Sequence, residues 1–353
     1  MNILGAHSGH DTNICFVSDG ELKYYNKIER LSGIKRDNNP PDTFFIYPEF
    51  RNFISKYDID FAVYGTAYNY IKNLYSNRNT RWTKSFSSTV KHELFEDHHL
   101  AHAANAFYGS GFDSSYVLVV DRNGSFDTTL KGENIDKPDI FPCKFNTTDI
   151  EKNAPTGCQT ETLYYCEYPD IFERVITNYS WMGITGKYSM ISYHIGFTEM
   201  ENGKTMGLSS YGKYVKDSYR VLNSSFPIYT FDHLRSIIGD SQVRKDFLIS
   251  IDPSVSPEDL AKTIQVDTSK EIIDIISRIN FEKTNNFCFT GGHAQNCMLN
   301  YEIAKTFKNI NLYVDPIPDD SGCSIGIAKY TWYNKTKSKN KSKLNDIFFM
   351  GDF

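Results

Sequence analysis

Along the first thirty residues, short apolar runs alternate with polar bends. Residues 3–6 and 12–17 read as strands separated by the bend Ser8-Gly9-His10-Asp11, and the turn Asp19-Gly20 leads into a third strand over 21–28. The pattern returns further along. Residues 116–120 form a continuous apolar strand, Asp121-Arg122-Asn123-Gly124-Ser125 is a polar bend containing glycine, and residues 126–130 resume with strand-forming side chains. Two copies of strand, bend and strand predict a duplicated α/β unit whose bends face one another.

Residues 44–57 and 98–108 carry helical spacing, 61–64 read as a buried strand, and 163–178 as a further helix. Residues 132–155, with three prolines, read as a surface excursion. Ser254-Val255-Ser256-Pro257-Glu258-Asp259 opens a long amphipathic helix ending near residue 279. Strands over 287–290 and 310–314 then enter Gly291-Gly292 and the loop 316–322. Beyond Ala328, lysines at 329, 335, 337, 339, 341 and 343 have no acidic neighbour until Asp346. That segment reads as a solvated connector, with a phosphate-binding tail as the alternative. The predicted division is a first lobe over residues 1–112, a second lobe with insertions over 113–328, and a lysine-rich segment over 329–353.

A chain of 353 residues with 40% hydrophobic content can bury two lobes. Its net charge of −5 argues against a broadly basic nucleic-acid coat, and its mean hydropathy of −0.45 against a bilayer-spanning protein. The start Met1-Asn2-Ile3-Leu4-Gly5 lacks the basic and apolar stretches of a leader, so cytoplasm is the expected location. The 7 cysteines are scattered and never form a CxxC pair, which predicts reduced thiols rather than a disulfide framework or zinc ribbon.

The strongest chemical signal is His98-His99-Leu100-Ala101-His102. At i, i+4 on a helix, His98 and His102 project from one face and suit a single metal ion. The alternative is a capped helix start, with Asp97 as the cap and His99 at the surface. Asp121, closing an apolar strand, and Asp320, in Pro318-Asp319-Asp320-Ser321-Gly322, are the candidate acidic ligands, although each could be an ordinary turn or capping residue. Gly291-Gly292, followed by Asn296, lets a ligand approach the backbone or makes a plain tight turn. Gly203-Lys204-Thr205 resembles the end of a P-loop, but position 198 is Thr rather than Gly, which excludes that motif.

These motifs occur in the order found in a known family. Gly9-His10-Asp11, Glu29-Arg30 with Lys35, the block from His98 to Ala104, Val119-Val120-Asp121, Gly203-Lys204 with Met206-Gly207-Leu208, Gly291-Gly292 with Asn296, and Asp320-Ser321-Gly322 together resemble the O-carbamoyltransferases of antibiotic and nodulation-factor biosynthesis. The resemblance implies an α/β fold of the actin-like ATPase type, with two duplicated lobes around a cleft, shared with the tRNA threonylcarbamoyl transferases. It implies one divalent metal, iron first with manganese, zinc or magnesium as alternatives, held by His98, His102, Asp121 and Asp320. It also implies a carbamoyl adenylate donor, made from carbamoyl phosphate and ATP, with Gly291, Gly292, Asn296, Lys204 and Asp121 on its nucleotide side.

Under that resemblance His10 activates the acceptor hydroxyl or holds the carbamoyl group, with a purely structural hydrogen bond as the alternative, and Lys35 meets a donor oxygen, with a solvated loop lysine as the alternative. Family members usually carry a second domain that forms the adenylate, and this sequence ends at Phe353 where it would begin, which implies a separate activating protein or another donor source. Arg122 and His293 stand where relatives tend to have small residues. The expected acceptor is a hydroxylated small molecule or a hydroxymethylated pyrimidine in a nucleotide or DNA, with no membrane partner; the residues do not fix the oligomeric state, and the resemblance is compatible with a homodimer. The alternatives are a threonylcarbamoyl transferase acting on tRNA, or an actin-like nucleotide-binding protein without carbamoyl chemistry.

Overall fold

The computed structural model describes residues 1–66, 81–125, 158–180, 182–198, 201–221 and 249–342. The resumed strand expected over 126–130 and the excursion over 132–155 lie outside them. The first sheet contains β1 (Asn2–Ser8), β2 (Asn13–Ser18), β3 (Glu21–Lys27), β4 (Phe61–Thr66) and β5 (Lys91–Phe95) in the order β3-β2-β1-β4-β5. β1 runs antiparallel to β2, with Gly5 opposite Cys15, and parallel to β4. Between β3 and β4 lie two short helices, α1 (Ile28–Ser32) and α2 (Pro48–Ile54), the second preceded by a 3-10 turn over Pro41–Ile46. Pro48 therefore divides the single helix expected over 44–57.

The second sheet repeats the first. β6 (Ser114–Val120), β7 (Cys158–Glu167), β8 (Ile171–Ser180), β11 (Asn286–Thr290) and β12 (Asn311–Val314) lie in the order β12-β11-β6-β7-β8. β6 is antiparallel to β7 and parallel to β11, as β1 is to β2 and β4. A small third sheet pairs β9 (Tyr219–Val221) with β10 (Ile249–Ile251). The two larger sheets form the duplicated α/β architecture of actin-like proteins.

Residues 163–178 are not a helix but parts of β7 and β8, joined by a turn containing Pro169. β7 is buried on both faces, which removes the alternation that marks a half-exposed strand. Among the described residues of the second half follow α4 (Ile184–His194), α5 (Asn202–Leu208), α6 (Pro257–Ser277) and α7 (Cys297–Thr306). Ser256 caps α6 by accepting from Asp259 N, and the helix buries Ile272, Ile275 and Ile276 against Leu118 and Val120 of β6.

Two further helices connect the sheets by exchange. α3 (His98–Ser110) follows the first sheet but packs on β6 and β11 of the second, while α8 (Cys323–Thr336) follows the second and packs on β1 and β2 of the first. They also pack on each other at Gly326, where a Cβ would stand 1.9 Å from Ala101 O. Ala101, Ala103 and Ala104 of α3 share a core with Ile327 and Ala328 of α8 and Val117 and Val119 of β6.

α8 runs through position 329, so the lysine-rich segment begins inside a helix rather than a solvated connector. Lys329 is buried, Lys335 meets Glu93 at 2.5 Å, Lys341 meets Asp113 at 2.6 Å, and Lys337 pairs with Asp170. The acids missing from the local sequence are supplied by other parts of the fold. No helix among the described residues is long and apolar enough to cross a membrane.

Candidate metal centre

The helix that carries the histidines is fixed at its start. Asp97 caps α3 by accepting from Leu100 N at 3.1 Å, and its carboxylate is held by an ion pair with Arg174 and by Tyr164 OH at 3.3 Å. The cap at Asp97 and the projection of His98 and His102 from one face therefore coexist rather than compete. His99 is not at the surface: its Nδ1 lies 2.7 Å from Thr162 Oγ1 in the interior.

His98 and His102 face the junction of the lobes with their Nε2 atoms 3.1 Å apart. Asp320 Oδ1 lies 3.3 Å from His98 Nε2 and 3.5 Å from His102 Nε2. Asp121 Oδ2 is 3.6 Å from His98 Nε2, while its Oδ1 accepts from Gly292 N at 2.9 Å. Donors about 2.1 Å from a shared ion stand about 3.0–3.4 Å apart, so the two imidazoles and the Asp320 carboxylate fit one cation. With Cys323, these three offer donor atoms within 4.8 Å of one another.

Asp320 is held in place by the opposite lobe. Asn13 of β2 donates to Asp320 O at 2.9 Å and accepts from Ser324 N at 3.1 Å, and Tyr25 of β3 donates to Ser321 O at 2.9 Å. The 3-10 turn Asp320–Gly322 thus presents its carboxylate from the second lobe's chain on a support made by the first.

The electrostatics follow from charges gathered in a dry place. Burial pulls His98 down, but Asp320 and Asp121 outweigh it and raise the imidazole to about 10. Burial pushes Asp320 up, and His98 and His10 override it, holding the carboxyl well below its usual range. Cys323 is driven well up by burial and by Asp320, so without a cation it stays a thiol.

The first bend brings His10 to the same place. Its Nε2 is 3.0 Å from Asp11 Oδ2 and its Nδ1 is 3.8 Å from Asp320 Oδ2, with the side chain 38% exposed at the rim. Burial lowers His10, while Asp11 and Asp320 together raise it to about 9. Lys27 completes the row at 2.7 Å from Asp11 Oδ1 and 3.1 Å from Glu29 Oε1.

The glycine pair closes the second-lobe side. Gly291 has φ +91, and a Cβ there would lie 2.4 Å from Val120 O, so only glycine lets this turn lie against the end of β6. Asn296 has a structural occupation: it caps α7 through Leu299 N at 3.2 Å and exchanges amide bonds with Gln265. His293 is buried, its Nδ1 3.3 Å from Thr185 Oγ1, and burial lowers it to about 4. Lys204 is exposed on α5 and paired with Glu201 at 2.5 Å, and Lys35 is exposed in the loop after α1. The structure therefore gathers His10, His98, His102, Asp121, Gly292 and Asp320 and leaves both lysines at the surface.

Cys323 and His7 escaped the sequence reading. Cys323 directly follows the Asp-Ser-Gly run, and its position was the available signal. His7 interrupts the apolar strand β1, and its Nε2 lies 3.2 Å from His98 Nδ1.

Duplicated sheets of this topology, with two exchanged helices and a histidine–carboxylate cluster between them, define an actin-like two-lobed protein with a candidate cation site at the junction. The chain belongs to the family described as carbamoyltransferase N-terminus, whose model matches residues 67–329. It is 23% identical to the nodulation protein NolNO of Sinorhizobium fredii over 267 residues, covering 73% of this chain and 34% of that protein. It is 25% identical to the protein MJ1058 of Methanocaldococcus jannaschii over 351 residues, covering 92% of this chain and 52% of that one. The chain thus spans between a third and about half of the length of such relatives. Among solved structures, HypF of T. kodakarensis superposes with a TM-score of 0.50 at 12% identity, covering 95% of this chain and 48% of that one. A full-length HypF in a phosphate- and nucleotide-bound form gives 0.51 at 13% identity, covering 95% and 56%.

Proposed function

We propose that this chain is an O-carbamoyltransferase, moving a carbamoyl group from an activated donor to a hydroxyl. The observation that carries the proposal is the convergence of His98, His102 and Asp320 from separate segments, in a chain belonging to the carbamoyltransferase family. The similarity to NolNO favours oxygen as the accepting atom over transfer to tRNA. The donor we propose is carbamoyl adenylate, formed from carbamoyl phosphate and ATP by a separate protein or domain. Its nucleotide would lie along Gly291 and Gly292, a reading supported by the nucleotide-bound HypF of the same fold.

His98, His102 and Asp320 would hold a divalent ion, with Asp121 beside them. Two imidazoles and carboxylate oxygen suit iron, manganese or zinc better than magnesium, and iron is the first candidate. Such an ion would supply Lewis-acid polarisation of a donor oxygen. In the reaction the acceptor oxygen bonds to the carbamoyl carbon, the bond from that carbon to the phosphate oxygen breaks, and AMP leaves. His10, at the open edge beside Asp11 and raised to about 9, is protonated near neutral pH, so it would hold the carbamoyl oxygen by donating to it while the acceptor's proton leaves with the AMP phosphate. Gly291 and Gly292, the second with its N–H donated to Asp121 Oδ1, would let the phosphate end approach the backbone, and the buried walls around His98 would limit water at the reacting carbon.

The acceptor we propose is a hydroxylated small molecule or the hydroxymethyl group of a modified pyrimidine. Mass spectrometry of candidate acceptors, incubated with the protein, ATP, carbamoyl phosphate and an adenylate-forming partner, tests it. One added carbamoyl group is expected on a hydroxyl, lost in H102A together with bound metal. Full activity and full metal content in H102A would refute the assignment.

A further inference from the structure

β1 is an apolar strand with one imidazole in it. His7 is 1% exposed, stacks on His98 with ring centroids 5.1 Å apart, and places its Nε2 3.2 Å from His98 Nδ1. Its own Nδ1 is buried with no hydrogen-bond partner among the described residues. A polar ring kept in such a place, at the expense of an unpaired nitrogen, calls for a reason beyond packing.

We propose that His7 is a positioning residue that selects the metal-binding tautomer of His98. The proposal rests on the metal reading of the cluster. For His98 Nε2 to present a lone pair toward His102 and Asp320, the ring proton of neutral His98 must sit on Nδ1, and that N–H needs an acceptor. The acceptor in reach is His7 Nε2. His7 then carries its single proton on Nδ1, the atom left without a partner. The stacked geometry also sets the plane of the His98 ring, and so the direction of the Nε2 lone pair.

In metal-binding histidines this outer acceptor is usually a carboxylate or backbone carbonyl, and its loss weakens metal affinity by roughly 10–100-fold. A neutral imidazole orients the ligand without adding negative charge to a site that already holds Asp121 and Asp320. The chain thereby gains orientation without a third buried anion.

Two space-filling variants separate hydrogen bonding from packing: H7Q can set an amide oxygen where Nε2 stood, and H7L cannot. Affinity is read by titrating the metal-free full chain with Co2+, following the visible bands of the bound ion, with H98A as the site control. H7L should bind Co2+ about 10–100-fold more weakly than the unmodified protein and shift the bands, and H7Q should recover most of both. Equal affinities for H7L and the unmodified protein, or equal losses in H7L and H7Q, overturn the tautomer role. If H98A binds as well as the unmodified protein, the metal reading itself fails and the inference with it, an outcome distinct from failure at His7 alone. Thermal unfolding of each metal-free variant identifies any loss that is merely one of folding.

Discussion

Replacing Lys329 by Met should stabilise the protein at neutral pH, by an amount that fades as the pH rises. The ammonium lies inside α8, 5% exposed, and its polar contact is Ser342 Oγ at 3.5 Å. Burial lowers this lysine from 10.5 to about 8. At ~1.4 kcal/mol per tenfold, that fall corresponds to a penalty of about 3 kcal/mol for holding the charge in the folded state. Below about pH 8 both folded and unfolded chains carry the proton, and the folded one bears the full penalty. Between about 8 and 10.5 the folded chain has released a proton that the unfolded chain still holds, so the contribution of Lys329 to stability rises with pH. Buried cysteines and tyrosines ionise on unfolding in part of this range and oppose the rise, but they are common to both proteins and cancel in the difference. Urea unfolding of the unmodified protein and K329M, at about pH 7 and about pH 9.5 under reducing conditions, measures it. Met is close in volume and removes the charge, so the variant should lead by up to about 3 kcal/mol at neutral pH and by much less at the higher pH. A variant no more stable at neutral pH, or a lead that does not change with pH, refutes the reasoning.

Further expectations concern the same framework. Gly326→Ala puts a methyl group 1.9 Å from Ala101 O and 2.8 Å from Asn105 N, so α3 and α8 must separate; a loss of at least about 1–3 kcal/mol is expected in thermal or urea unfolding. Gly291→Ala combines φ +91 with a Cβ 2.4 Å from Val120 O and should displace the Gly292 amide from Asp121, read as weaker nucleotide protection of residues 290–296 in hydrogen exchange. Co2+ at about a hundred times its Kd should stabilise the folded chain by about 2.7 kcal/mol, and the increment should vanish in H102A.

The first strand-bend-strand unit, and the strand and bend that open the second, were legible because glycine and polar side chains punctuate apolar runs at positions 8–11 and 121–125, and a bend is a local property. The His98 and His102 pair was legible for the same reason, since i, i+4 is fixed by the helix itself. Residues 163–178 were not, because Leu163, Tyr164, Tyr165 and Cys166 are all buried in a strand covered on both faces, where a helix and a strand leave the same apolar run. Lys329 was hidden by its neighbours' composition: its burial is decided by the first sheet, hundreds of positions away in the chain, and nothing next to it records that. His7 and Asn13 belong to the same class, their importance arising from partners at His98 and Asp320 that only the fold supplies.

The exchange of α3 and α8 gives the junction a mechanical property. Two imidazoles ride on a helix seated on the second sheet, and the carboxylate facing them is tethered to the first, so a cation held among them would staple one half of the molecule to the other. Hinge opening and ion release would then be one equilibrium, and a substrate that draws the halves together would tighten the grip on the ion by the same factor with which the ion tightens the grip on the substrate.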